Sequence, residues 1–180
     1  MLYYENFRIR SLKLEDANFT ATLRQDFSTN SMLGHFIFVN EDTQKDWISK
    51  LPLSRESLYF IFEKEESSNN WISIGLIRVN HIDTINRSAS VGGDIAKQFR
   101  GNGYAKIMFK IIFNFTFNYL NLNRLWLHVL ENNLNAINLY KKMGFIEEGT
   151  QRKAIFRDSK YLDYKMMSIL KEEYQQLKSF

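Results

Sequence analysis

A chain of 180 residues, 44% hydrophobic and 15% aromatic, can bury one domain-sized core and is not a disordered segment. Its net charge of +4 suits an anionic small molecule as well as nucleic acid, but Lys and Arg are scattered and no DNA- or RNA-binding motif accompanies them, so no nucleic-acid partner is expected. Cysteine is absent, which removes disulfides, thiolate metal sites and a cysteine nucleophile.

The opening residues lack the apolar core of a signal peptide. FRIRSL (7–12) alternates and predicts a first strand, and LEDANFTATLRQDF (14–27) predicts a helix with an acidic start. TQKDWISKL (43–51) reads as a second short helix ended by Pro52. LYFIFEK (58–64) and WISIGLIRVNHI (71–82) form a hairpin around the polar turn 66–70, and ASVGGDI (89–95) is the next strand after INRS (85–88).

Beyond a glycine loop, Tyr104, Ile107, Met108, Ile111, Ile112, Phe115 and Tyr119 recur at helical spacing. Phe109, Phe113 and Phe117 make a second stripe, open to either a core or a homodimer role. The run 107–120 is broken by Lys110, Asn114 and Asn118 and is too short and polar to cross a bilayer, so a soluble, cytoplasmic protein without a membrane partner is expected. RLWLHVL (124–130) is a strand and NLNAINLYKKMGF (133–145) a helix stopped at Gly144. KAIFRD (153–158) and YLDYKMMSIL (161–170) are the last strands, followed by a short helix. No linker or repeat divides the chain, so residues 1–180 read as one α/β (α+β) domain with helices on a mostly antiparallel sheet.

The loop QFRGNGYAK (98–106) places Gly101 and Gly103 at the mouth of a helix, where free N–H groups and the positive dipole end attract anions. Taken alone, the same glycines fit a tight strand-to-helix turn that needs positive φ. The loop is neither a Walker sequence nor G-x-G-x-x-G. Gly92 and Gly93 in the preceding strand add a hint of close ligand approach, and Asn133 and Tyr140 follow on the next strand-to-helix unit.

Together these residues resemble a known family. RGNGYA (100–105) matches the R/Q-x-x-G-x-G/A loop of the GNAT superfamily of acyl-CoA-dependent N-acetyltransferases, and VLENNLNAINLYKKMGF (129–145) is similar to its following motif. A second register, Gln98-x-x-Gly101-x-Gly103, also fits; the register from Arg100 leaves the usual spacing between strand and helix. FRIRSLKLEDA at the start and KYLDYKMMSIL at the end resemble the subgroup that holds ribosomal-protein N-terminal and spermidine acetyltransferases. The likeness is strongest from about 89 to 170 and weak between 28 and 60.

The resemblance implies a GNAT-like fold with splayed central strands, and acetyl-CoA wedged between 89–95 and 124–130. Its pantetheine would run along Gly93, Asp94 and Ile95, with the Ile95 N–H polarising the acetyl carbonyl. Its diphosphate would rest on the N–H groups of Gly101, Asn102, Gly103, Tyr104, Ala105 and Lys106, with Arg100 marking the register and adding charge. Asn133 would hydrogen-bond the cosubstrate, and Tyr140 would be general acid toward the leaving thiolate.

The amine must attack as the neutral base. That costs about 4.6 kcal/mol at pH 7 for a lysine-like amine and about 1 kcal/mol for an α-amine. His128, Asp94 or a water chain are the candidate bases. Three scattered histidines without cysteine make no metal site, and His35 and His81 are expected at the surface or in loops. The positive balance leans away from a polycation toward a protein N-terminus or an amino sugar or sugar nucleotide, which Arg24 and His35 could meet. A non-catalytic acyl-CoA-binding module is the alternative.

Overall fold

The computed structural model describes residues 1–34, 37–51 and 56–178. His35 and Pro52, both singled out above, lie outside the described residues.

One sheet of eight strands runs through the chain in the order β1-β2-β3-β4-β5-β6-β8-β7. Its strands are β1 (Leu2–Tyr4), β2 (Phe7–Ser11), β3 (Ser57–Ser67), β4 (Asn70–Asp83), β5 (Ser88–Ile95), β6 (Arg124–Leu130), β7 (Ile146–Arg157) and β8 (Lys160–Leu170). Only β5 and β6 run parallel; every other neighbour pair is antiparallel. The helices are α1 (Ala17–Gln25), α2 (Phe27–Asn30), α3 (Glu41–Lys50), α4 (Tyr104–Asn114), α5 (Leu134–Lys142) and α6 (Lys171–Lys178). This is the α/β sandwich around a mostly antiparallel sheet that the sequence predicts.

Local chemistry explains where the elements depart from the sequence expectation. The stretch 14–27 does not stay one helix: a 3-10 turn at Leu14–Asp16 leads into α1, and Asp26 breaks it to cap α2, accepting from Ser28 N–H at 3.3 Å. The stretch 104–120 is α-helical to Asn114 and then widens into a π turn at Phe115–Tyr119, where the Thr116 hydroxyl donates back to Ile112 O at 2.8 Å. The last hairpin begins at Ile146, well before 153, because β7 is bulged between Gln151 and Ile155 and mostly exposed, so it carries no apolar alternation.

The two faces of the sheet are filled unequally. On the α4 side a large cluster unites Phe62, Ile77 and Val79 with Met108, Phe109, Phe113 and Phe117. Phe109, Phe113 and Phe117 are only 1%, 1% and 0% exposed, so this stripe is core and offers no face to a second copy. On the α1 and α3 side the buried cluster is small, formed by Leu23, Ile61, Leu76 and Ala96. That side leaves room for a cavity.

A buried ionic network fixes where α1 starts. Arg10 meets both oxygens of Asp16 at 2.7 Å and Glu63 Oε1 at 2.9 Å, while Arg8 Nε donates to Glu63 Oε2 at 2.6 Å. Asp16 also accepts from Lys13 N–H at 2.8 Å, closing the turn that launches the helix.

Candidate active site

β5 and β6 share only three residue pairs, Ser88 with Arg124, Ala89 with Leu125 and Ser90 with Trp126. Beyond them the strands diverge, each still held by its outer neighbour, β4 or β8. A cleft of about 650 Å³ opens between them, roofed by Ser28, Thr29 and Met32–Gly34. Ala96 N–H donates to Ile74 O on the β4 side at 2.9 Å, so strand alternation turns the Ile95 N–H toward the cleft.

At the end of the cleft β5 passes through a 3-10 turn, Lys97–Phe99, into the glycine loop. Gly101 and Gly103 have φ of +83° and +76°, and a Cβ on either would meet no atom within 4 Å. The turn therefore requires glycine, and the space above it is open. Gly103 caps α4 without a side-chain partner. Among the described residues the N–H groups of Gly101 to Ala105 have no acceptor, whereas Lys106 N–H turns back to Gly103 O at 3.0 Å. The cradle thus offers five donors rather than the six expected, flanked by the exposed Lys97 and Lys106. Such a surface fits a diphosphate.

Several predicted site residues have internal duties. Arg100 donates through Nε to Ile95 O at 2.9 Å, through Nη1 to Ser28 Oγ at 2.8 Å, and through Nη2 to Asp26 at 2.9 Å and to Thr29 Oγ1. Its guanidinium is spent on binding the end of β5 to α2 and is not held out toward an anion. Asn102 Nδ2 returns to Phe99 O and Arg100 O at 3.2 and 3.3 Å, and the Tyr104 ring packs on Phe7, their centroids 5.3 Å apart. Asn133 caps α5 by accepting from Ala136 N–H at 3.2 Å and lines the cleft.

The bare backbone of β5, where Gly92 and Gly93 line the cleft, also serves packing. A Cβ on Gly93 would lie 2.4 Å from Met108 Cε, and one on Gly92 would lie 3.3 Å from Arg78 Nη2. Asp94 is salt-bridged to that same Arg78 at 2.6 Å, which ties up one oxygen of a carboxylate considered as base.

Tyr140 lines the cleft from α5, its ring edge-on to Phe109 and Phe145 at 5.6 and 5.5 Å. Burial, and next the charge of Asp94, push its phenol up to about 12. His128 lies on the cleft side of β6, stacked on Tyr164 at 5.6 Å and beside Trp126 at 5.3 Å. His81, expected at the surface or in a loop, is exposed within β4; its ring stacks on Trp126 at 5.7 Å and lies 3.0 Å from Ser90 Oγ through Nδ1. Four rings thus cross from β4 over β6 to β8. Burial and the neighbouring His81 lower the His128 pKa, so its ring is neutral at pH 7.

Arg78 and Asn80 also line the cleft, although sequence reasoning did not single them out. Their signal was present: two polar residues at alternate positions of an otherwise apolar strand face one side of the sheet together. Both also line a second cavity of about 550 Å³ that continues between α1, α3 and the sheet. Among the described residues, no group of three or more His, Asp or Glu side chains could hold a metal ion, and no helix is long and apolar enough to cross a membrane.

A family model described as an acetyltransferase (GNAT) domain matches residues 6–146. The chain is 35% identical over 113 residues to the spermidine N(1)-acetyltransferase of Vibrio cholerae serotype O1, a match over 63% of this chain and 64% of that relative, just under two thirds of its length. It is 28% identical over 176 residues to the uncharacterized N-acetyltransferase p20 of Bacillus licheniformis, covering 96% and 97% of the two chains. Among solved structures, spermidine N-acetyltransferase from Vibrio cholerae in complex with CoA and spermine superposes with a TM-score of 0.88 at 27% identity, covering 96% of this chain and 99% of that one.

Proposed function

Because the chain belongs to the GNAT acetyltransferase family, and is thereby an N-acetyltransferase that draws on acetyl-CoA, we propose that residues 1–180 act as one domain moving the acetyl group to a primary amine by direct attack in a ternary complex. The observation that carries this reading is the continuous path from five free N–H donors at the glycine loop, along the unpaired edge of β5, to the Tyr140 hydroxyl. The Gly101–Ala105 amides hold the diphosphate, the Ile95 N–H faces the acetyl carbonyl oxygen, and Asn133 lines the wall beside the cosubstrate.

His128 is the base proposed for the amine, directly or through one water. The neutral nitrogen then attacks the carbonyl carbon: the C–N bond forms, the C–S bond breaks, and the thiolate leaves. Counted from the ammonium, the nitrogen loses two protons, one to His128 and on to solvent before attack and one as the amide forms; the thiolate gains one, so each transfer releases one proton. Tyr140 serves as hydrogen-bond donor and acid to the sulfur. The acceptor classes that fit are a protein N-terminus and an amino sugar or sugar nucleotide.

Acetyl-CoA is expected to raise the melting temperature, and Gly103→Asp to abolish the rise, because the new carboxylate projects into the space above the cradle at a φ of +76°. Differential scanning fluorimetry with and without acetyl-CoA reads this directly. A normal rise in the variant refutes the cradle, and a rise without CoA release from any amine leaves a binding module.

The pH profile tests the base. Since His128 titrates below its ordinary value of about 6.5, the acid limb it sets in kcat/KM should lie below that pH. His128→Gln should remove this limb and leave one set by the amine itself. An unaltered profile would eliminate His128 as base.

A further inference from the structure

The second cavity carries a charge pattern that the transfer reaction does not explain. It lies between α1, α3 and the sheet, and joins the cleft at Arg78, Asn80 and His81. One wall is aromatic, with Trp47 edge-on to Tyr59 at 5.0 Å. Arg24 enters from α1, half-buried, and has no hydrogen bond or ion pair among the described residues. Asn80 Oδ1, at the junction, is buried and likewise without a hydrogen-bond partner.

Asp94 is the one carboxylate lining either space among the described residues, and Arg78 holds it at 2.6 Å. Of the three arginines lining these spaces among the described residues, Arg78 is paired with Asp94 and Arg100 with Asp26, which leaves the charge of Arg24 uncompensated. Burial, and next the Arg78 charge, lower the Arg24 pKa, the signature of a cation with too little opposite charge around it. A half-buried guanidinium is a fork suited to a carboxylate or phosphate, and an orphaned carbonyl oxygen is suited to an N–H donor. A polyamine would bring further positive charge into this space and find, among the described residues, no acidic partner except the Asp94 already held by Arg78.

We infer that this cavity is the acceptor subsite for a primary amine that also carries a carboxylate or phosphate, with Arg24 engaging the anion and Asn80 Oδ1 accepting from the amine. The assignment rests on the acetyl-transfer reading for the identity of the amine, but the subsite can be tested by binding alone. It separates the chain from the Vibrio cholerae protein whose structure holds spermine.

The test titrates the CoA-loaded protein by calorimetry with two matched pairs and a polyamine: alanyl-alanine against its C-terminal amide, glucosamine 6-phosphate against glucosamine, and spermidine. At least one anionic probe should bind tenfold or more tightly than its neutral partner, and raised NaCl should shrink that gap. The dipeptide pair reports a carboxylate and the sugar pair a phosphate. Arg24→Gln should bring the ratio close to one, and Arg24→Lys should retain much of it. The acetyl-CoA melting shift verifies that both variants are folded.

Equal binding within both pairs, no binding by either anionic probe, tighter binding of spermidine, or an undiminished gap in Arg24→Gln overturns the subsite. CoA release is read separately. Release driven best by spermidine keeps acetyl transfer and removes the subsite. Tight anionic binding with no release keeps the subsite and removes the transfer.

Discussion

Replacing Tyr140 by Phe is expected to lower kcat by about 100-fold, within the range for loss of a positioned acid, while the acetyl-CoA melting shift persists. The packing of the ring explains why the shift should survive. Phe keeps the edge-on contacts with Phe109 and Phe145, so the change deletes a hydroxyl and little else. With the phenol pushed up to about 12 and a thiol near 8.5, complete proton transfer in the ground state is uphill by about 5 kcal/mol. Tyr140 is thus fully protonated at pH 7, and in the role proposed for it the phenol would donate a hydrogen bond as negative charge grows on sulfur, the proton moving only as the C–S bond breaks. Steady-state kinetics with an excess of amine measure kcat, and turnover within a factor of two of wild type would remove Tyr140 from the chemistry.

Asp16→Ala is expected to destabilise the fold by about 3–5 kcal/mol, the penalty for opening a buried ion pair from one side. Asp16 is 5% exposed and accepts three hydrogen bonds, two from Arg10 and one from Lys13 N–H. The substitution leaves Arg10 with Glu63 alone and uncaps the 3-10 turn ahead of α1. At this chain length the loss corresponds to a fall in Tm of about 10 °C. Urea denaturation should show a lower midpoint at an unchanged slope. Asp16→Asn keeps the volume and an acceptor for Lys13, and should cost less. A loss below about 1 kcal/mol would place this network among ordinary surface salt bridges. Because α1 also carries Arg24, the network aligns one wall of the second cavity with the sheet.

The elements with strong periodicity were legible in the sequence: the β3–β4 hairpin, α4, β6 and α5 all lie where apolar spacing places them. So was the glycine loop, whose requirement for positive φ is local chemistry written in two residues. What escaped detection depends on partners far away in the chain. Arg100 looks like an anion ligand beside Gly101, yet its guanidinium pairs with Asp26, 74 residues earlier. His81 lies near the end of the strand predicted over 71–82, and only the alignment of β4 with β6 through β5 brings its ring onto Trp126. β1 has three residues on a sheet edge, too few for alternation to register. The second cavity is a property of two layers packed with little between them, and no single window contains it. Arg24 on α1 and the pair Arg78 and Asn80 in β4 were its local signs.

The three-pair contact between β5 and β6 leaves unpaired backbone donors and acceptors in the middle of the sheet, where they would template the addition of any extended peptide. Sheets usually meet this hazard at their margins, with charge or a short outermost strand. Here the vulnerable rim is recessed and lidded: Arg100 ties α2 down over one end, and Arg157 Nη2 holds Leu33 O at 2.7 Å over the other. The same contacts that roof the cleft therefore also cover this edge against the addition of a stray strand.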